Sequence, residues 1–506
     1  MKAGRAWGRW VAAFFAVVCV VLPLTVVTYP PITDLPQHVA QIRLLLETLN
    51  DPQGPYRIQW FTPYGLAYVP LAVGWMMAGP LLAGRLAVAF LLAAWVAAVH
   101  GFAAVRGRST ASALLASTLA GGASLYWGFL PFLAGFPLFL WWLHRCERSE
   151  QQPEQTVTPR EVAILGAIAT GLYLAHGHWF AMASLWLGLS GLRARLPLRF
   201  QFLRGVSLLP AGLLALLSVR SSRELPIDSA PRWLSKPWER WSPGELVSGI
   251  VGGPRGLGRE LLLVVLVLWI GLGILAWWRQ RLRLASGAPL GETEARPDSR
   301  LLWAAGLMLA VATFTPDMYF LSMWSAKRWW APGVALIVLG VASAAGRRRW
   351  SAAGVIVLAL WTALAVTTWR RFERVELRGL EESLAALPEN TRLLGLDYVR
   401  RSPLFDSPPF LHNSVYGQVL KGASVSFSFA RFPAFLVVVR EAHDPPWTNA
   451  LEWYPDRLRR SDLDHFDFVL VNAPAARLDE FPRRAPVEPV TQTDPWRLYR
   501  VVRSER

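Results

Sequence analysis

Of the 506 residues, 53% are hydrophobic and 17% charged, against roughly 45–50% and about 25% in ordinary soluble domains, so the composition is that of a membrane protein. The net charge of +17 would suggest nucleic acid in a soluble chain, but basic loops between membrane spans account for it, and nucleic-acid binding is set aside. Two cysteines, Cys19 and Cys146, are too few for a disulfide framework or a zinc motif.

In chain order, Lys2, Arg5 and Arg9 precede an apolar run from Trp10 to Thr28 that has no small-x-small cleavage site before Tyr29-Pro30. It reads as an uncleaved first span with a cytoplasmic N-terminus. Directly after it stands Pro30-Pro31-Ile32-Thr33-Asp34-Leu35-Pro36-Gln37-His38. Asp34 has two readings: an N-cap with Gln37 as capping-box partner for an amphipathic helix from Leu35 to Leu49, or a reagent where a span meets water. His38 lies one turn on along the same face, where it and Asp34 address one ligand.

Basic connections at Arg106-Gly107-Arg108, His144 to Arg148, Arg193 to Arg204, Trp278 to Arg283 and Arg347-Arg348-Arg349 are expected on the cytoplasmic side. An odd number of spans then separates the first outer loop, 29–81, from Arg106. By that parity Pro63 to Gly79 is a juxtamembrane or re-entrant helix and Leu82 to Val105 the second span. Further spans are expected over 109–126, 128–143, 161–176, 178–192, 205–220, 259–278, 300–316, 330–346 and 351–368, about eleven in all. The fold class is thus an α-helical polytopic membrane protein, with transmembrane domain 1–370 and a small α/β extracytoplasmic domain over 371–506. In that tail Leu377, Leu380, Leu384 and Leu387 share one helix face before Pro388, and strands are expected at Arg392–Asp397, Phe435–Arg440, Asp467–Val471 and Arg497–Val502.

This topology places all the candidate chemistry on the outer face. His176 and His178 end a span; they share a metal only if Gly177 breaks the helix, and no third ligand has recognisable spacing, so the readings left open are a hydrogen-bonding cavity histidine or an interfacial residue. Lys327 and Arg328 beside an outer span run against the usual charge bias, which suits either a phosphate held by ammonium and guanidinium or a snorkelling anchor among Trp324, Trp329 and Trp330. The loop 221–258, with Trp233, Trp238 and Trp241 among charges, suits a sugar ring, a lipid headgroup or an ordinary aromatic belt. His412-Asn413 and His443-Asp444 fall near turns and receive no role. Gly252-Gly253-Pro254-Arg255-Gly256 lacks the Lys-Ser/Thr and preceding strand of a phosphate loop.

An acid just after the first span, the Thr62-Pro63-Tyr64 start of a juxtamembrane helix, Ala83-Gly84-Arg85-Leu86 opening the second span and an outer tail domain together resemble the GT-C superfamily of integral-membrane glycosyltransferases. In layout the chain is most similar to the protein O-mannosyltransferase and aminoarabinose transferase branch. It also looks like bacterial membrane proteins of unsettled function that share an Asp-x-Pro-x-His start. The resemblance implies a polyprenyl-phosphate sugar donor, an acceptor of unknown kind and Asp34 as the catalytic acid of the first outer loop, acting as general base or orienter; it gives His38 no fixed role. The candidate substrate-binding residues, read from their own placement on the outer face, are His38, His176 and His178, with Lys327 and Arg328 holding the lipid phosphate if the resemblance holds. The resemblance also implies residence in the bacterial inner membrane with a periplasmic tail. The branch's second acidic motif is replaced by Phe61-Thr62-Pro63-Tyr64, and the cofactor, including any divalent metal, is left open. The competing classes are a transporter or polymer-handling protein of the envelope, for which inverted repeats and polar residues inside spans would speak, and a scaffold whose tail binds a partner.

Overall fold

A computed structural model of the chain describes residues 2–151, 153–222, 230–286, 294–319, 322–341, 343–344, 348–441 and 444–503. Residues 223–229 of the outer loop, Arg347 and His443 lie outside the described residues. The fold is mainly helical with a small sheet region. Among the described residues four helices, Trp7–Thr25, Pro80–Val105, Leu257–Ala285 and Arg349–Glu376, are long and apolar enough to cross a membrane, and a fifth span results if Leu198–Val206 and Leu209–Ser221, bent by 49°, count as one. A membrane helix satisfies its backbone internally and turns apolar side chains outward, and Phe90, Leu268 and Leu360 are at least 60% exposed on such helices.

Helices also occupy the other stretches expected to span, among them Leu130–Gln151, Pro159–Ala175, Gly177–Arg193 and Ser299–Phe314. The expected span 109–126 is broken into Thr110–Thr118, a 3-10 turn and Ala123–Trp127. Bundle helices approach closely where side chains are small. A Cβ on Gly135 would stand 2.0 Å from Cδ1 of Trp179, and the Trp179 indole donates to the Phe132 carbonyl at 2.7 Å. This contact fixes the start of the Gly177–Arg193 helix.

The first-loop helix Leu35–Asn50 is not a surface helix. Leu35 through Ile42 are all buried, because membrane helices cover one side and the tail covers the other. Gln37 and Gln41, one turn apart, clamp the tail's backbone. Gln37 donates to Phe427 O and accepts from Phe429 N–H; Gln41 donates to Val437 O and accepts from Val437 N–H. Each amide thus behaves as a short piece of a β-ladder, satisfying both backbone groups it faces.

The tail carries a five-stranded sheet in the order Val487–Pro489, Trp496–Val501, Phe468–Asn472, Arg392–Asp397, Ser424–Val425. Neighbouring strands are antiparallel through the first three and parallel through the last three. Leu377, Leu380, Leu384 and Leu387 are all buried, but the helix spans only Leu380–Ala386, so Leu380 and Leu384 share its face while Leu377 and Leu387 flank it. The run expected as a strand at Phe435–Arg440 is one only over Val437–Val439, and it pairs antiparallel with Tyr56–Ile58 of the loop after the first long helix instead of joining the tail's sheet. A strand edge takes the partner that covers it, and here that partner lies across the domain boundary.

Candidate functional site

The expected N-cap role of Asp34 is not realised. An N-cap needs an extended backbone to turn its oxygen back onto the first helical N–H groups, whereas Asp34 has φ −91° and ψ −1° and makes no side-chain cap bond. Its own N–H instead donates to Trp127 O at 3.2 Å, and Thr33 N–H donates to Tyr126 O at 3.0 Å. Gly128 closes that turn at φ +81°, and a Cβ there would lie 2.7 Å from the Asp34 nitrogen. The carboxylate, freed from capping, faces a cavity of about 290 Å³ lined by Asp34, His38, Tyr64, His176, Arg328 and His412 together with the aromatic side chains Trp127, Phe427, Phe429 and Phe435.

Three of the six residues expected in the site meet Asp34 in this cavity's walls. His38 does so with both ring nitrogens occupied, Nδ1 at 3.3 Å from Tyr68 Oη and Nε2 at 3.1 Å from Gly128 O. A carbonyl only accepts, so Nε2 carries the proton and Nδ1 takes the Tyr68 hydroxyl. Burial pushes the His38 imidazole down to about 4, against opposing pulls from Asp34 and the Gly128 carbonyl. His38 is therefore neutral at pH 7 and ties the helix to the turn that carries Asp34.

Helix Pro159–Ala175 ends before His176, which is extended at φ −171° and caps the next helix by accepting from His178 N–H at 3.1 Å. The break at Gly177 that a shared metal would require is present, and the two imidazoles lie 4.5 Å apart. His176 Nε2, however, faces Arg328 Nη1 at 2.8 Å, so a cation already stands where an ion would bind. Among the described residues no group of three or more His, Cys, Asp or Glu side chains is placed to hold a metal. His178 does not join the Asp34 cavity; it lines a separate apolar cleft with Met182, Val311 and Trp329.

Arg328 and Lys327 part company. Lys327 does not line the cavity; its ammonium sits 3.4 Å from Glu245 and over the Trp324 ring. The 3-10 turn Lys327–Trp329 sends neighbouring side chains in different directions. Arg328 is 6% exposed, stacks on Phe129 with its guanidinium carbon 3.7 Å from the ring centre and donates to Met323 O at 2.8 Å. Among the described residues it has no carboxylate partner within ion-pair distance, and its Nε has no hydrogen-bond partner. A neutral imidazole has one lone-pair nitrogen, so His176 satisfies either His178 N–H or Arg328, not both. Burial lowers the Arg328 guanidinium to about 10, with Tyr64 and Asp34 raising it, so it remains cationic at neutral pH. The outcome is a buried cation with unfilled donors, the electrostatic description of an anion site.

His412, given no role from the sequence, is in the site. Its Nε2 lies 3.3 Å from Asp34 Oδ1, and its ring stacks on Phe427 at an interplanar angle of 4°. Phe427, Phe429, Phe432 and Phe435 roof the cavity beside it. Four phenylalanines within nine residues of an otherwise charged tail were the available signal, since such a run must find cover. Trp233, Trp238 and Trp241 of the 221–258 loop do not line this cavity. Compared with models of protein families and with curated proteins, the chain matches none.

Proposed function

We propose that the protein is a multi-pass membrane glycosyltransferase of GT-C type that moves a sugar from a polyprenyl-phosphate donor to an acceptor at the outer face of a bacterial inner membrane. The observation that carries the reading is the joint presence, in one aromatic-walled cavity, of a carboxylate released from capping and a buried guanidinium without an acidic partner. Phosphate satisfies a guanidinium fork, and aromatic faces suit a sugar ring. In this reading Arg328 holds the donor phosphate and stabilises the charge it gains on leaving, where preorganised electrostatics contribute most. Asp34 accepts or orients the acceptor proton. About eleven spans, with the tail outside, put cavity and lipid donor on the same side.

The experiment is Asp34→Asn in the full chain. Loss of sugar transfer from a polyprenyl-phosphate hexose, with expression and thermal stability retained, is the expected result; undiminished transfer overturns the reading. The runner-up, a transporter or polymer-handling protein, makes a different demand, because net movement of substrate would then survive loss of the acid.

A further inference from the structure

Among the described residues the Asp34 carboxylate caps no helix, and its side-chain partner is His412, contributed by the tail. That imidazole is 4% exposed, flat on Phe427 and edge-on to Phe429 at 5.7 Å. Its Nδ1 is buried without a hydrogen-bond partner. Nε2 lies 3.3 Å from Asp34 Oδ1; a carboxylate only accepts, so the tautomer that suits this contact carries its proton on Nε2, and a proton on Nδ1 would be a buried N–H with no acceptor. The titratable and charged groups facing the ring are Asp34, His38 and Glu452. The helix that follows Asp34 is itself clamped to the tail by Gln37 and Gln41, so the tail holds that helix as well as approaching the side chain of the acid.

We propose that His412 is the positioning residue of Asp34, so that the tail domain completes the site: its Nε2–H holds Oδ1 and leaves the second carboxylate oxygen for the acceptor. The reaction it serves rests on the glycosyl-transfer reading; the His412–Asp34 contact does not. In the transfer step the acceptor oxygen bonds to the anomeric carbon. The bond from that carbon to the phosphate oxygen breaks with its electron pair leaving on the phosphate, and the hydroxyl proton passes to Asp34. His412 exchanges no proton in the step.

Two readouts test it on the full-length protein in detergent. The first is the imidazole nitrogen spectrum of ¹⁵N-histidine-labelled protein, with the His412 signals assigned by their loss in His412→Phe. The expected result is an Nε2-protonated, hydrogen-bonded ring whose Nε2–H signal moves upfield in Asp34→Ala; a His412 signal indifferent to Asp34→Ala overturns the pair. The second is transfer from a polyprenyl-phosphate hexose. His412→Phe, which keeps the stack on Phe427 and removes the donor, should lower kcat about a hundredfold with KM unchanged, the scale of proton-transfer assistance. His412→Gln, which retains an N–H donor, should recover to within about tenfold of wild type. Wild-type kcat in His412→Phe, or equal loss in the Phe and Gln variants, overturns the positioning role. A wild-type protein that transfers no hexose counts against the glycosyl-transfer reading, and the nitrogen spectrum then decides the pair alone.

Discussion

The Arg328 guanidinium stands 2.8 Å from Nε2 of His176, an imidazole whose other nitrogen already accepts the His178 N–H. With Nδ1 so engaged, Nε2 has no lone pair for the guanidinium and the contact leaves the cation unneutralised, so stability and function pull in opposite directions at Arg328. Burying an unpaired charge costs more than burying an apolar side chain of similar length. Arg328→Met should accordingly leave the melting temperature unchanged or raised, while affinity for undecaprenyl phosphate falls about tenfold to a hundredfold, the loss of one or two charge-assisted hydrogen bonds. Thermal denaturation and lipid binding on the same sample check both halves. A variant that melts lower and binds as before would mean that Arg328 is an internal brace.

Gly128 is the second test of the site's construction. Its positive φ strains any other residue by about 1 kcal/mol or more, and the added Cβ would press on the Asp34 backbone nitrogen at 2.7 Å. Gly128→Ala should lower stability by about 1–3 kcal/mol and lower transfer more than that loss explains, because it displaces the acid. Gly101, a helical glycine with open space around the Cβ position, is the control, and Gly101→Ala should do neither.

One part of the pH dependence of stability follows from His38. Its folded-state value of about 4 lies below the ordinary 6.5 because burial disfavours the charged ring. Between those values the unfolded chain takes up a proton that the folded chain refuses, so stability is full above pH 6.5 and falls as the pH drops towards 4. The drop is on the order of 3 kcal/mol for that separation. Denaturation from pH 7 to pH 4 should show it in wild type, and His38→Gln, which does not titrate, should flatten that part of the curve. A parallel fall in both proteins would remove His38 as its source.

Much of this site was legible in the sequence as separate pieces. Asp34, His176 and Arg328 stood out because each was polar where an apolar run ended, and that local signal survived folding. What local sequence did not carry was direction. Asp34 matched a capping box, but the turn at Tyr126 to Gly128 captured its backbone and set a dihedral that cannot cap. Lys327 and Arg328 are neighbours, yet a 3-10 turn separates a surface ion pair from a buried cation. His176 and His178 part in the same way at the break before Gly177. His412 was out of reach for another reason: its partner is joined to it only through the tail's docking on Leu35–Asn50 and the Tyr56–Ile58 with Val437–Val439 ladder, pairings between segments far apart in sequence.

That docking gives a fourth prediction. Gln41→Leu leaves the Val437 N–H and C=O without the partners at 2.8 and 3.1 Å that they now have, at a cost of about 1–3 kcal/mol for a buried orphaned group. The effect should be local: faster amide exchange over 427–439, with the Trp496–Val501 and Phe468–Asn472 strands still protected. Uniformly faster exchange across the tail would show that the clamp supports the whole domain and not the roof of the cavity alone.

The most direct measurement of the central claim is the lipid content of three purified proteins, wild type, Asp34→Asn and Arg328→Met, by mass spectrometry of their extracts. If Asp34 performs transfer and Arg328 holds the donor phosphate, the Asp34→Asn protein should retain the most polyprenyl-phosphate sugar, wild type less, and Arg328→Met none. Equal amounts in all three, or no polyprenyl phosphate in any, would contradict it.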